Sequence, residues 1–260
     1  MSSVNINNLW VEDSGTGEEV VLFIHGLGGS SNFWSPILSA FNDYRTIRPD
    51  LAGAGRSTKC TEKLSISSHV SSLITMLDEL GISKVHVVAH SMGTIIAQHL
   101  AVSYPDRVLS LALFGPLTAP ADMAREATRN RANQARTGNI AMQEIADAIC
   151  QAATSTETKK ERPVALALIR ESIMRQSPEG YALNCEALAE AQPADIKKLT
   201  IPVLLVTGDE DRVGTPEGTL AMSEKLTDHH QFILTGCGHW TAYEKPFECI
   251  RILTDFYNSQ

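Results

Sequence analysis

Residues 85–101, VHVVAHSMGTIIAQHLA, constrain the fold of this chain more than any other segment. An apolar run of strand length gives way at one serine to a helical pattern that opens at Met92. A strand that becomes a helix across a single residue forces that residue into a strained backbone conformation and draws neighbouring chain close to it. The positions two before and two after the turn must then be small, and they are Ala89 and Gly93. The turn lifts the Ser91 hydroxyl above the end of the strand and sets it at a helix N-terminus, where developing negative charge is favoured. Such a turn is a nucleophile elbow of the G-x-S-x-G type, with alanine in place of the first glycine.

The rest of the chain repeats the alternation of strand and helix. VVLFI (20–24) reads as a buried strand and is followed by the glycine-rich loop HGLGGSS; a short helix over 33–41 and a second strand over 44–49 come next. From 65 to 80 the apolar residues Ile66, Val70, Leu73, Ile74, Leu77 and Leu80 share one helical face, and Gly81 stands where a helix end favours positive φ. VLSLALF (108–114), PVLLVTG (202–208) and QFILT (231–235) are further strands, and 247–257 is a closing helix. Residues 117–199 break the alternation: they hold no strand pattern and are rich in Ala, Arg, Glu and Gln at helical spacing. A helical insertion between two strands of a parallel sheet reads as a cap over the strands' carboxyl ends, the edge where open α/β sheets bind ligands. The expected fold is α/β, a mostly parallel sheet flanked by helices with a helical cap insertion. Residues 1–116 and 200–260 form the core and 117–199 the cap. A length of 260 residues, 43% hydrophobic and 20% charged, suits one large domain with such an insertion.

A serine hydroxyl is a poor nucleophile until a base takes its proton, and the base needs an orienting carboxylate. Downstream of Ser91, TGDEDRV follows the strand PVLLV, and TGCGHW follows QFILT, offering His239. The order Ser, acid, His matches a triad on this fold, with each group at a strand exit on one edge of the sheet. Asp211 is taken as the acid because it can reach over the loop; Asp209, directly after the glycine, caps the turn and remains the alternative. Two backbone donors are expected to hold the oxyanion, the N–H of Met92 after the nucleophile and that of Leu27 in HGLGG. His25 is read as pinning that loop by hydrogen bonds, and His90 as filling space beside the site. His229 and His230 read as a loop before a strand, while His86 and His99 belong to packing or surface.

A net charge of −8 repels phosphate backbones, and the densest basic stretch, Lys159, Lys160 and Arg162, is broken by Glu157 and Glu161, so no nucleic-acid partner is expected. No apolar run approaches the ~20 residues of a membrane span, and the first residues lack a signal-peptide core. Five cysteines without a CxxC pair suit free thiols in a reducing compartment rather than a disulfide scaffold or a zinc site.

The blocks HGLGGSSNFW, RPDLAGAGRS, AHSMG, GDEDRV and GCGHW, in that order, resemble those of the α/β-hydrolase superfamily along essentially the whole chain. Within the insertion, IADAI followed by ALIRESIMRQSPEGYALNCEALAEAQ is similar to the cap of the 3-oxoadipate enol-lactonases, β-ketoadipate-pathway enzymes that open a carboxylated enol-lactone. The resemblance implies Ser91, Asp211 and His239 as the triad of a cytosolic enzyme without cofactor or metal. The family's cap carries tryptophan then phenylalanine a few residues after the IADA-like stretch, where this chain has Ala152 and Ala153. A larger pocket and bulkier substrates are therefore expected, unless Met174 or Tyr181 fills the space. The expected activity is hydrolysis of a lactone or small carboxylic ester through an acyl-enzyme on Ser91. A C–C bond hydrolase or cofactor-free perhydrolase on the same triad, and a non-catalytic ligand receptor, are the alternatives.

Overall fold

In the computed structural model, which describes residues 2–58, 60 and 62–259, the apolar runs pair into one eight-stranded sheet. Its strands are β1 (Ser2–Ile6), β2 (Leu9–Ser14), β3 (Val20–Ile24), β4 (Arg45–Pro49), β5 (Val85–His90), β6 (Val108–Phe114), β7 (Val203–Gly208) and β8 (His229–Leu234). Their spatial order is β1-β2-β4-β3-β5-β6-β7-β8. The pairs β1–β2 and β2–β4 are antiparallel and all others parallel. The hairpin β1–β2 lies ahead of the first strand read from the sequence. It turns through Asn7 and Asn8 at φ 49° and 68°, the left-handed pair that a two-residue hairpin loop requires. Because β1 is exposed, it has no apolar run to announce it.

Register aligns the strand ends. Ile24 pairs with Ala89, His90 with Phe114, Phe114 with Val206, and Gly208 with Leu234. The loops leaving β3, β5, β6, β7 and β8 therefore emerge along one edge.

Helices cover both faces, and the alternation of side chains along each strand decides which residues meet which layer. The helices are α1 (Ile66–Glu79), α2 (Met92–Ser103), α3 (Asp122–Ala135), α4 (Asn139–Ala153), α5 (Thr156–Glu161), α6 (Pro163–Met174), α7 (Pro178–Ala189), α8 (Pro216–Ser223), α9 (Thr241–Glu244) and α10 (Pro246–Asn258). Leu22 and Ile24 of β3 face a core shared with α1, α2 and Met222 of α8. Val21 and Phe23 face the other core, with α9, α10 and a 3-10 stretch, Ser31–Phe41, interrupted by Pro36. Ser65 and Ser68 form a reciprocal capping box at the start of α1, and Gly81 follows its end at φ +67°. Helices α3 to α7 all lie between β6 and β7 in the chain, and Ile145, Ile173 and Tyr181 from this insertion extend the second core.

One expectation is corrected here. His229 and His230 belong to strand β8, paired with Val203 and Leu204, and not to a loop before it. An edge strand with a solvated face accepts such polar residues, so no apolar alternation marks its start. Among the described residues no helix is long and apolar enough to cross a membrane.

Candidate active site

Ser91 sits between β5 and α2 at φ 53° and ψ −123°, a conformation that costs a non-glycine residue energy and needs surrounding structure to hold it. Its N–H donates to Phe114 O at 3.0 Å, and its carbonyl accepts from the Thr94 N–H at 2.8 Å and from Thr94 Oγ1 at 2.6 Å. Gly93 is forced by close approach, since a Cβ there would lie 2.3 Å from Ile24 O. Ala89 has no freedom to grow either, being fully buried between its sheet partners Ile24 and Leu113.

The loops after β7 and β8 bring the other expected residues to Ser91. His239 Nε2 lies 2.8 Å from Ser91 Oγ, and His239 Nδ1 lies 2.8 Å from Asp211 Oδ2. All three side chains are buried. With Nδ1–H donated to the carboxylate, Nε2 is free to accept the serine proton. The other Asp211 oxygen accepts the N–H groups of Val213 and Gly214 at 2.7 and 2.9 Å. Burial works to raise the Asp211 pKa, but the adjacent His239 and these two N–H donors outweigh it and hold the carboxyl below the ordinary aspartate range. Asp209 points elsewhere, accepting the Cys237 N–H at 3.2 Å and so tying the two loops together.

Leu27 and Met92 both line a narrow cleft, together with Gly26, Gly28, Gln176 and Tyr181. Gly26 closes on the serine so tightly that a Cβ there would lie 2.8 Å from Ser91 Cβ. His25 Nδ1 donates to Gly26 O at 2.8 Å, and its Nε2 accepts the Leu51 N–H at 3.0 Å. His90 donates from Nε2 to His239 O at 2.8 Å and stacks on Phe33. Burial, then the neighbouring His239, pushes the His90 pKa down to about 3, so it stays a neutral donor.

The two alanines do not share a pocket wall. Ala152 is exposed, whereas Ala153 is buried at the end of α4 with its carbonyl accepting the His239 N–H at 2.9 Å. Tyr181 stands in the cleft in their stead, because α7 packs down beside the loop at Gly28.

Sequence reasoning missed Glu244. This carboxylate is completely buried. One oxygen accepts from Gly238 N, Ser155 N and Thr158 Oγ1 at 3.0, 2.9 and 2.8 Å, and the other from Trp240 N at 3.0 Å. It grips the backbone on both sides of His239 and joins it to the start of α5. The available signal was a lone acid in an otherwise apolar stretch, HWTAYE, a pattern that asks where a buried charge finds donors. Among the described residues no three or more His, Cys, Asp or Glu gather in a way that could hold a metal ion.

A profile of the family described as alpha/beta hydrolase fold matches residues 19–246. The chain is 28% identical to a 2-hydroxy-6-oxononadienedioate/2-hydroxy-6-oxononatrienedioate hydrolase of a Pseudomonas species, covering 96% of this chain and 91% of that protein. It is 28% identical to 3-oxoadipate enol-lactonase 2 of Acinetobacter baylyi over 87% of this chain and 84% of the relative. Among solved structures, a thermophilic esterase from Thermogutta terrifontis superposes with a TM-score of 0.90 at 25% identity, covering 96% of this chain and 93% of the esterase.

Proposed function

The chain belongs to the α/β-hydrolase fold family, and on that premise we propose that it is a serine hydrolase of a lactone or small carboxylic ester, acting in the manner of a 3-oxoadipate enol-lactonase. The observation that carries this reading is the unbroken line from Asp211 through His239 to Ser91 Oγ, 2.8 Å at each step. Ser91 Oγ attacks the carbonyl carbon while His239 Nε2 takes its proton, and Asp211 holds the ring and stabilises the imidazolium. The N–H groups of Leu27 and Met92 receive the negative charge that develops on the carbonyl oxygen. The tetrahedral adduct collapses, and the leaving oxygen takes the proton from His239. Water, deprotonated by His239, then attacks the acyl-enzyme and returns Ser91 Oγ with its proton. In a lactone the leaving oxygen stays tethered to the acyl group, so one ring-opened acid is released.

Helices of 117–199 act as the cap that walls the cleft. Tyr181 stands in the wall of that cleft beside Leu27 and Met92, which supports a small acyl group in place of the bulkier one expected from Ala152 and Ala153. Five unpaired thiols support a reducing compartment, the cytoplasm. The similarity to the oxononadienedioate hydrolase favours one second reading, C–C bond cleavage on the same triad. The test is a screen of lactones, aryl esters and 2-hydroxy-6-oxodienoates with the purified protein and its Ser91→Ala variant. The variant is expected to be inactive yet folded, and a fluorophosphonate to label the wild type at Ser91 alone. Near-normal activity in the variant, or labelling elsewhere, overturns the proposal; turnover of the dienoate alone selects the second reading.

A further inference from the structure

The loop that carries Leu27 has few side chains with which to hold itself. Residues 26, 28 and 29 are glycine, and Gly28 sits at φ +77°. On the core side, His25 Nδ1 and the Gly29 N–H both donate to Gly26 O, at 2.8 and 3.0 Å. In a trans peptide the C=O and N–H point in opposite directions, so anchoring Gly26 O sets the direction of the Leu27 N–H. The carbonyls on the far side of Leu27 are held from the insertion. Gly28 O accepts Ser172 Oγ at 2.8 Å and Gln176 Nε2 at 3.2 Å, and Gly29 O accepts Gln176 Nε2 at 3.1 Å. The same amide nitrogen donates to Ser172 O at 2.7 Å, while Gln176 Oε1 accepts the Gly55 N–H at 2.9 Å. Gly53 and Ala54, beside that last contact, line the same cleft as Leu27. Ser172 lies in α6 and Gln176 just past its end; both are buried, at 6% and 3% exposure, so water does not compete for these bonds.

We infer that Gln176, together with Ser172, is a positioning residue for the oxyanion donor Leu27, so that the docked end of α6 completes the oxyanion hole. The inference rests on the serine-hydrolase reading above. A loop of glycines is free to rotate its peptide planes, and Leu27 lies between the one anchored by His25 and those anchored by Gln176. Gly28 O and the Gly29 N–H belong to one peptide plane, so releasing the second anchor frees the Gly29 N–H from Gly26 O and loosens the plane that carries the Leu27 N–H. That loss is felt where charge develops on the carbonyl oxygen and not in substrate binding.

The experiment compares the full-length protein with Gln176→Met, which keeps length and volume but removes every polar contact, and with Ser172→Ala. Each is assayed with p-nitrophenyl acetate for kcat and KM, with 2,2,2-trifluoroacetophenone for Ki, and by thermal melting. Ser91 Oγ adds to the ketone carbon and its proton passes to His239, leaving an oxyanion in the hole. Gln176→Met is expected to lower kcat by about tenfold to a hundredfold, less than the ~10²–10³ that loss of a whole donor costs. Its Ki should rise by a similar factor with KM nearly unchanged, and Ser172→Ala should shift both quantities in the same direction by less. If Gln176→Met does not fold, Ser172→Ala decides by the same comparison. A loss confined to KM, or unchanged ketone affinity in a folded variant, overturns the assignment of Gln176. Wild type that neither labels with fluorophosphonate at Ser91 nor turns over the ester overturns the underlying reading instead.

Discussion

Asp209 and Asp211 are two residues apart yet do different work, and hydrogen-bond geometry separates them. Asp211 sits against the His239 ring with two backbone donors behind it, whereas Asp209 is exposed and bonded to the Cys237 N–H. Asp211→Asn is expected to cut kcat by on the order of 10⁴, as the loss of tautomer control does in a serine protease. Asp209→Asn should cost less than about tenfold on the same argument, and steady-state kinetics on one aryl ester checks both. His90 carries a prediction of its own. Its folded pKa is pushed down to about 3 against an ordinary value near 6.5. As pH falls through that window the unfolded chain takes up the proton and the folded one does not. Stability therefore drops, by about 1.4 kcal/mol per pH unit for one such group. His90→Gln keeps a donor for His239 O and removes this slope. Buried His69, with its pKa down to about 4, contributes equally to both proteins. Urea unfolding between pH 7 and 4 should show a shallower decline for the variant; parallel curves would mean that His90 titrates normally.

At the scale of elements, the loop after β8 is stiffened from outside the sheet. Its His239 N–H is taken by Ala153 O at the end of α4, and Glu244 of α9 collects donors on both sides of the histidine and at the start of α5. Glu244→Ala strips the acceptor from four buried donors. At about 1–3 kcal/mol for each group left unpaired, the variant should lose at least about 4 kcal/mol, read as a lowered urea midpoint. A midpoint within error of wild type would show that water satisfies those donors. The elbow behaves differently. Its strain at Ser91 is maintained by the close approach of β3, whose Ile24 carbonyl leaves no room for a side chain at position 93.

For the whole molecule, the parallel register carries the strand ends to one edge, and Gln176 and Tyr181 of the insertion meet Leu27 and Met92 there. The outcome is a narrow cleft with Tyr181 in its wall. Proposed as the acyl site, a cleft walled by Tyr181 makes chain length the variable to test. For p-nitrophenyl esters kcat/KM is expected to fall from acetate to octanoate by about fivefold to 150-fold, because overfilling a packed site costs about 1–3 kcal/mol before backbone has to move. A flat or rising series would mean that the insertion yields to longer chains.

Local signals were enough for the strand–helix order, the elbow, the small residues at 89 and 93, and the sequence order of serine, acid and histidine. Each depends on periodicity or on a turn within a few residues, and those constraints act along the chain itself. The hairpin β1–β2 escaped because β1 has no buried face and β2 shows only two alternating apolar residues, Leu9 and Val11, although the turn residues Asn7 and Asn8 carried a weaker sign of it. Contacts between distant segments were not legible. Glu244 reaches residues 155 and 158, Gln176 reaches Gly28 and Gly55, and Ala152 turns outward while Ala153 turns in. Sequence by itself determined which kinds of element form and which chemistry can gather at their ends. Only the tertiary structure decided which buried donors meet which acceptors and how much room the insertion leaves. Those depend on how helices far apart in the chain dock, and no local pattern records the distance between two segments until the chain has packed.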